Sequence, residues 1–193
     1  MPHLCAKVST DIPITELLSN GRDGDREALD RLAVAVYPEL RRLAGAYLKR
    51  ESKAETLQPT ALVNEAYVRV LAQGLPPCES RGQFYGLVAH RMRQVLVDHA
   101  RGKNAEKRGS GLAALPLDEN LAGASEKDDG ILALDDALRG LERLDARKHS
   151  VIELRFFAGL SVEETAEALG ISVATVGREQ RLAQAWLHRE LSG

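Results

Sequence analysis

Apolar residues recur along most of this chain at intervals of three and four, and no stretch alternates with period two, so the pattern predicts helices and no sheet. After Pro13, Ile14, Leu17 and Leu18 form one face of a short helix, which the turn-rich stretch 20–25 (NGRDGD) separates from the next. Leu29, Leu32, Val36, Leu40, Leu43 and Tyr47 then make a single stripe running to about Lys49, which Pro38 is expected to kink or divide. Residues 51–57 are polar and read as a connection. Pro59 opens another helix at a position whose amide hydrogen has no helical partner anyway, with Leu62, Val63, Ala66, Tyr67, Val70 and Leu71 inward. Glu65 and Arg69 stand one turn apart on its other side as an ion pair.

The stretch 73–80 (QGLPPCES) places two prolines after a glycine and reads as a loop. A further helix is expected from about Gly82 to Lys103, with Phe84, Leu87, Val88, Met92, Val95 and Leu96 inward and the arginines on the opposite side and near its end. Residues 104–128 combine glycines, Pro116 and scattered charge with weak periodicity, and read as a flexible or partly extended linker. From about Asp129, Leu132, Leu138, Leu141 and Leu144 predict one helix, and Val151, Ile152, Leu154, Phe156 and Phe157 a second.

Residues 161–187 (SVEETAEALGISVATVGREQRLAQAWL) read as two helices joined by a tight turn. Ser161 supplies a hydroxyl cap ahead of the first-turn acids Glu163 and Glu164, and Gly170 fits the left-handed residue that ends a helix. Ser172 caps the second helix, whose Val173, Val176, Ala183 and Leu187 face the core supplied by Ala166 and Leu169. Its polar side, with Thr175, Arg178 and Arg181, is left free for a major groove, the arrangement of a helix-turn-helix. A plain helical hairpin shares this spacing, so the motif gains its weight from the blocks that precede it. The fold class expected is all-α: two small helical domains, 11–106 and 129–193, joined by a linker over 107–128.

Charge alters the picture through its distribution. The formal net charge of −2 argues against a chain that coats nucleic acid indiscriminately. From Arg81 to Arg108, however, Arg81, Arg91, Arg93, Arg101, Lys103, Lys107 and Arg108 face only Asp98 and Glu106. From Asp118 to Asp145 the balance reverses, with Asp128, Asp129, Asp135, Asp136 and Glu142 among the acids. The first segment is a candidate phosphate-binding face and the second a solvated, repelling one.

Other chemistry is sparse. Cys5 and Cys78 have no metal-type spacing and form no disulfide framework, which points to a reducing compartment. No apolar run is long enough to span a bilayer and no secretory leader is read at the polar start, so a cytoplasmic protein without a membrane partner is expected. His90 and His99 do not share a helix face, and His3, His149 and His188 read as isolated, so no metal site is expected. Tyr67, Phe84 and Phe156 fall on core stripes rather than where bases would stack. No phosphate-cradling glycine loop and no nucleophile, base and orienter set is present, so neither a catalytic residue nor a cofactor is expected.

Three blocks in order carry a resemblance: LVNEAYVRVL at 62–71, FYGLVAHRMRQVLVDHARGKNAEKRG at 84–109, and VIELRFFAGLSVEETAEALGISVATV at 151–176. Together they resemble a bacterial sigma factor of the extracytoplasmic-function group in the sigma-70 family. The resemblance implies a first domain that binds core RNA polymerase and melts the promoter element nearest the start site, through the loop 73–80 and a basic helix bearing Arg91, Arg93, Arg101, Lys103, Lys107 and Arg108. It implies a second domain whose recognition helix reads the upstream element of promoter DNA through Ser172, Thr175, Arg178 and Arg181. It also implies that Asn64 and Glu65, in the LVNEAY block, fall at the polymerase contact.

The sequence departs from that family pattern at Gly177, where a basic residue is usual, and at Gln180, an amide on an inward face that needs a partner or partial exposure. It departs most before LVNEAY, where acidic residues usually meet the polymerase and Gln58, Pro59, Thr60 and Ala61 stand here. The resemblance extends to a kinase-linked branch, which implies that a Ser/Thr kinase supplies the missing charge as a phosphate on Thr60, near the positive helix end. Thr60 as a mere helix-start residue stays an equal reading, and an anti-sigma factor is a further partner the resemblance admits. Two other functions stay open: a helix-turn-helix regulator that binds an operator directly, and an adaptor that holds polymerase without reading DNA.

Overall fold

The computed structural model describes the backbone of residues 13–50, 57–109 and 119–192, and the side chains of 13–48, 57–105 and 129–192. Among the described residues all regular structure is helical. α1 (Ile14–Arg22) turns through Gly24, at φ 97°, into α2 (Arg26–Arg50). The Asp25 carboxylate starts α2 by accepting from the amides of Glu27 at 2.9 Å and Ala28 at 3.1 Å. Pro38 does not divide α2, which runs through it. An interior proline costs about 3 kcal/mol, but Val36 and Leu40, on either side of it, are 0% and 1% exposed, and their burial holds the helix together.

α3 (Pro59–Ala72) and α4 (Arg81–Gly109) follow, separated by the irregular 73–80 stretch with Gly74 at φ 76°. α4 continues six residues past the expected end at Lys103. The backbone is helical again from Glu119, the first residue of α5 (Glu119–Leu144), so 119–128 is not the extended linker its weak periodicity suggested. That stretch carries alanine, leucine, glutamate and lysine, good helix formers that leave a weak apolar period. Residues 110–118 and the connection at 51–56 lie outside the described residues.

α6 (Ala146–Ile152) starts at Asp145, whose side chain accepts from the Lys148 amide at 3.0 Å. It runs into a π turn at Glu153–Phe157, closed by the Ala158 amide on the Glu153 carbonyl at 2.9 Å. α7 (Val162–Leu169) and α8 (Val173–Ser192) complete the chain. The π turn inserts a residue into the helical count. As a result Phe156, expected inside, is 40% exposed, while Phe157 turns inward and packs against Tyr47 with ring centroids 6.1 Å apart. Leu144 and Val173 are likewise outside, at 65% and 47% exposure, because they are the last residue of α5 and the first of α8, beyond the packed turns.

α4 is the axis of the fold. One side closes a core with α1, α2 and α3 in which Leu32, Val36, Leu62, Phe84, Val88 and Met92 are fully buried. The same core continues into Leu154, Ala158, Leu160 and Ala168 from the carboxy-terminal helices. Two glycines on one face of α4 make this approach fit. A β-carbon on Gly82 would stand 3.1 Å from both Ala168 and Leu160, and one on Gly86 would overlap Leu154. Gln83 donates to the Ala168 carbonyl at 2.9 Å, and the Tyr47 hydroxyl donates to that of Phe157. Smaller cores, one around Leu138, Leu141, Ile152 and Ala183 and one around Val151, Ala166 and Val176, hold α5 to α8 together. Among the described residues no helix is long and apolar enough to cross a membrane.

Candidate nucleic-acid interface

The α7–α8 pair is built as its residues dictate. Ser161 and Glu164 exchange backbone and side-chain hydrogen bonds at 3.1 and 2.8 Å, a complete capping box. Gly170, at φ 62°, ends α7, and the Ile171 amide reaches back to the Ala166 carbonyl at 3.0 Å. The Ser172 hydroxyl accepts from the Thr175 amide at 3.1 Å and lies 2.8 Å from the Thr175 hydroxyl, starting α8. Val176 and Ala183, both fully buried, fix the inner face of α8. The opposite face then presents Ser172, Arg178 and Arg181 to solvent, with Thr175 half-buried at its edge.

Arg178 is steadied by Glu179 at 3.0 Å, and Glu179 also meets Lys148 of α6 at 3.2 Å. These contacts, that of Arg178 first, hold the Glu179 carboxyl below its ordinary pKa. Gln180 finds the partner its inward position requires, accepting from Arg155 at 3.1 Å. A β-carbon on Gly177 would meet no heavy atom within 4 Å. Gly177→Ala should therefore stabilise α8 by about 1 kcal/mol through backbone entropy alone. A chemical denaturation series with an unchanged slope would register it, and a loss of stability would show that α8 needs the glycine.

The basic residues of α4 divide. Arg101 is exposed, and Lys103 is half-buried. Arg91 is half-buried, donating to Gln94 at 2.7 Å and to Gln73 in the preceding loop. Lys107 and Arg108 lie outside the residues whose side chains are described. Arg93 departs from the expectation: it is 4% exposed, paired with Asp135 of α5 and, at 2.5 Å, with Glu153 of the π turn. Its guanidinium also covers the Phe157 ring at 5.6 Å. It is not on the solvent side of α4 because the carboxy-terminal helices pack over that part of the helix.

His149, expected to be isolated, lies 3.3 Å from Glu153 in the same cluster, and His90 lies 3.5 Å away. Burial alone would raise the Glu153 pKa, but His149, His90 and the charge of Arg93 hold it well below the usual carboxylate range. Two acids interrupting apolar stripes, Asp135 in ILALDDAL and Glu153 in VIELRFF, were the signal for this cluster. An open cleft of about 420 Å³ lies over its outer side, lined by His90, Gln94, Arg139 and Glu142 among others.

On α3, Thr60 is half-buried at the second helical position, after Pro59. The first turn holds no acidic side chain, and Gln58 makes no side-chain cap bond. Asn64 is exposed. Glu65 is engaged, accepting from Arg69 at 2.7 Å, and Arg69 in turn reaches Asp98 of α4 at 2.6 Å. Thr60, Asn64 and Glu65 thus lie on α3, whereas the α8 residues belong to the other end of the chain. No group of His, Cys, Asp and Glu that could hold a metal occurs among the described residues.

No curated protein and no solved structure matches the chain at a significant level. The family model described as ECF sigma factor matches residues 12–193, and so spans every helix described above. With that match, an all-helical fold and a helix-turn-helix at the carboxy end, the chain belongs to the ECF sigma factors, a family of transcription regulators that bind RNA polymerase and direct it to promoters.

Proposed function

We propose that this chain works in the cytoplasm as a promoter-directing subunit of RNA polymerase whose polymerase contact is charged on demand at Thr60. The observation that carries the promoter reading is the α7–α8 pair: a capped, left-handed-turn helix-turn-helix whose polar face is exposed. Ser172, Thr175, Arg178 and Arg181 read the upstream element, the hydroxyls and arginines setting register on phosphates and meeting base edges near the start of α8. Arg91, Arg101, Lys103, Lys107 and Arg108 track the backbone of the proximal element. No residue of the chain is assigned a catalytic role.

Asn64 and Glu65, with the start of α3, face the polymerase. An α3 first turn without an acid leaves a positive helix end uncompensated. A phosphate on Thr60 would place about −1.5 to −2 charges there at neutral pH, available to arginines of the polymerase. A Ser/Thr kinase is the partner this requires, and an anti-sigma factor remains compatible with it.

The test is retention of core RNA polymerase by the unmodified chain and by Thr60→Glu at one moderate salt concentration. Binding by the substituted form alone supports the charge switch. Binding by both keeps the promoter-directing role and removes Thr60 as its gate. If neither binds, and kinase-treated protein carrying phosphate on Thr60 also fails, the reading is wrong.

A further inference from the structure

The inner stripe of α8 runs Val176, Glu179, Ala183 and Leu187. Three of these are apolar and meet the cores, whereas Glu179 is a carboxylate, 6% exposed, on the helix read as facing DNA. A buried acid at such a position destabilises unless it is paired, and both oxygens of Glu179 are engaged. Its Oε1 accepts from Nη2 of Arg178 at 3.0 Å, and its Oε2 lies 3.2 Å from Nζ of Lys148 on α6. Lys148 is fixed in turn by Asp145, which accepts from its backbone amide at 3.0 Å and from its ammonium group. An alternating row of charges, Asp145, Lys148, Glu179 and Arg178, thus runs from the start of α6 to the exposed side chain of Arg178. Neighbours in sequence leave a helix about 100° apart and do not ordinarily face each other. Arg178 therefore gives up rotamer freedom to reach Glu179, and it does so before any DNA is present.

We propose that Glu179 is a positioning residue for promoter recognition: tied to α6 through Lys148, it fixes the guanidinium of Arg178 in one orientation and so sets how sharply a single base pair of the upstream element is selected. The proposal rests on Arg178 meeting a base edge. The guanidinium uses one of its five N–H donors on Glu179, which leaves two neighbouring donors for a fork. Guanine, with two acceptors side by side in the major groove, is the base that fork matches. A guanidinium already oriented loses less freedom on contact and adapts less readily to a wrong base. The acid also repels phosphate, so it sharpens selection while lowering affinity for DNA at large.

The test uses the full chain, in the Thr60 form that core RNA polymerase retains, assembled with the polymerase on a duplex pool randomised across the upstream element; retained duplexes are sequenced. Glu179→Leu completes the apolar stripe, and α8 keeps its other ties, Val176 and Ala183 fully buried and Gln180 on Arg155. The melting temperature should therefore hold or rise. At the base pair where Arg178→Ala loses preference, Glu179→Leu should lose about threefold to tenfold of it, while binding to a scrambled duplex holds or tightens. In the double variant the two losses should not add, because Glu179 acts only through Arg178. Glu179→Gln, of the same shape, should shift preference in the same direction, and it decides the matter if Glu179→Leu does not fold by circular dichroism.

Unchanged preference at the Arg178 base pair would overturn the proposal, as would losses that add in the double variant. Preference falling equally at every position, together with the melting temperature, would leave Glu179 a fold-holding residue only and overturn it too. Two outcomes reach further down, and the proposal falls with each: a pool that the parent chain does not enrich removes promoter recognition itself, and a pool that Arg178→Ala leaves unaltered removes the base contact of Arg178.

Discussion

Arg93→Ala should cost the packed form of this protein about 3–5 kcal/mol, because it leaves the carboxylates of Asp135 and Glu153 buried with their principal counter-charge removed. Both acids are almost wholly out of water, at 1% and 6% exposure. Arg139, 2.9 Å from Asp135, and His149 beside Glu153 can answer only part of the loss. The penalty is relieved when water reaches the carboxylates; the open cleft already borders Asp135, and separation of α5 and the π turn from α4 would expose Glu153 as well. The destabilisation should therefore appear first as parting of the helices, seen as lost energy transfer between fluorophores on Val34→Cys of α2 and Leu191→Cys of α8, both exposed, ahead of melting of the α1–α4 core. Joint replacement of Arg93, Asp135 and Glu153 by apolar residues of similar size should be near neutral or stabilising, since it removes the desolvation penalty along with the attraction. If Arg93→Ala melts in one step at the native temperature, the cluster contributes nothing to holding the two sets of helices together.

That cluster marks where the sequence stopped being legible. Helices declared by local chemistry were readable almost to the residue: Pro59 at the first position of α3, and Ser161, Glu164 and Gly170 around α7, each act on neighbours within a turn. Errors came where distant elements decide. Pro38 looked disruptive because the sequence could not show how deeply Val36 and Leu40 are buried. Phe156 reads as inward because a periodicity count takes the helix as regular, whereas one inserted residue in a π turn rotates everything after it. Arg93 reads as outward because arginines are exposed unless paired, and its partners lie 42 and 60 residues away. The polar face of α8 was legible as a surface because an outward face needs no partner to be recognised. The small residues that admit the second set of helices, Gly82 and Gly86, carried no signal apart from their spacing of four.

Phe84→Ala should have a comparable effect on stability by a different route, and the contrast separates the core from the ion cluster. Phe84 is 0% exposed in the α1–α4 core, edge-on to Tyr85 at 6.0 Å, in the first turn of α4 that Ser80 starts by accepting from the Gln83 amide. Removing a buried phenyl ring costs about 3–5 kcal/mol, from lost transfer energy and the cavity left behind, because close-packed neighbours relax only in part. At about 2–4 °C per kcal/mol for a chain of this size, the melting temperature should fall by about 6–20 °C. No charge is uncovered, so nothing drives the helices apart below the melt. Energy transfer between α2 and α8 should stay at its native value until the whole structure unfolds. Polymerase retention at low temperature should likewise scale with the folded fraction, whereas Arg93→Ala changes the arrangement of a folded chain. A Phe84→Ala protein that opens while still folded would mean that the core around Phe84, rather than the ion cluster on the other side of α4, sets the closed arrangement.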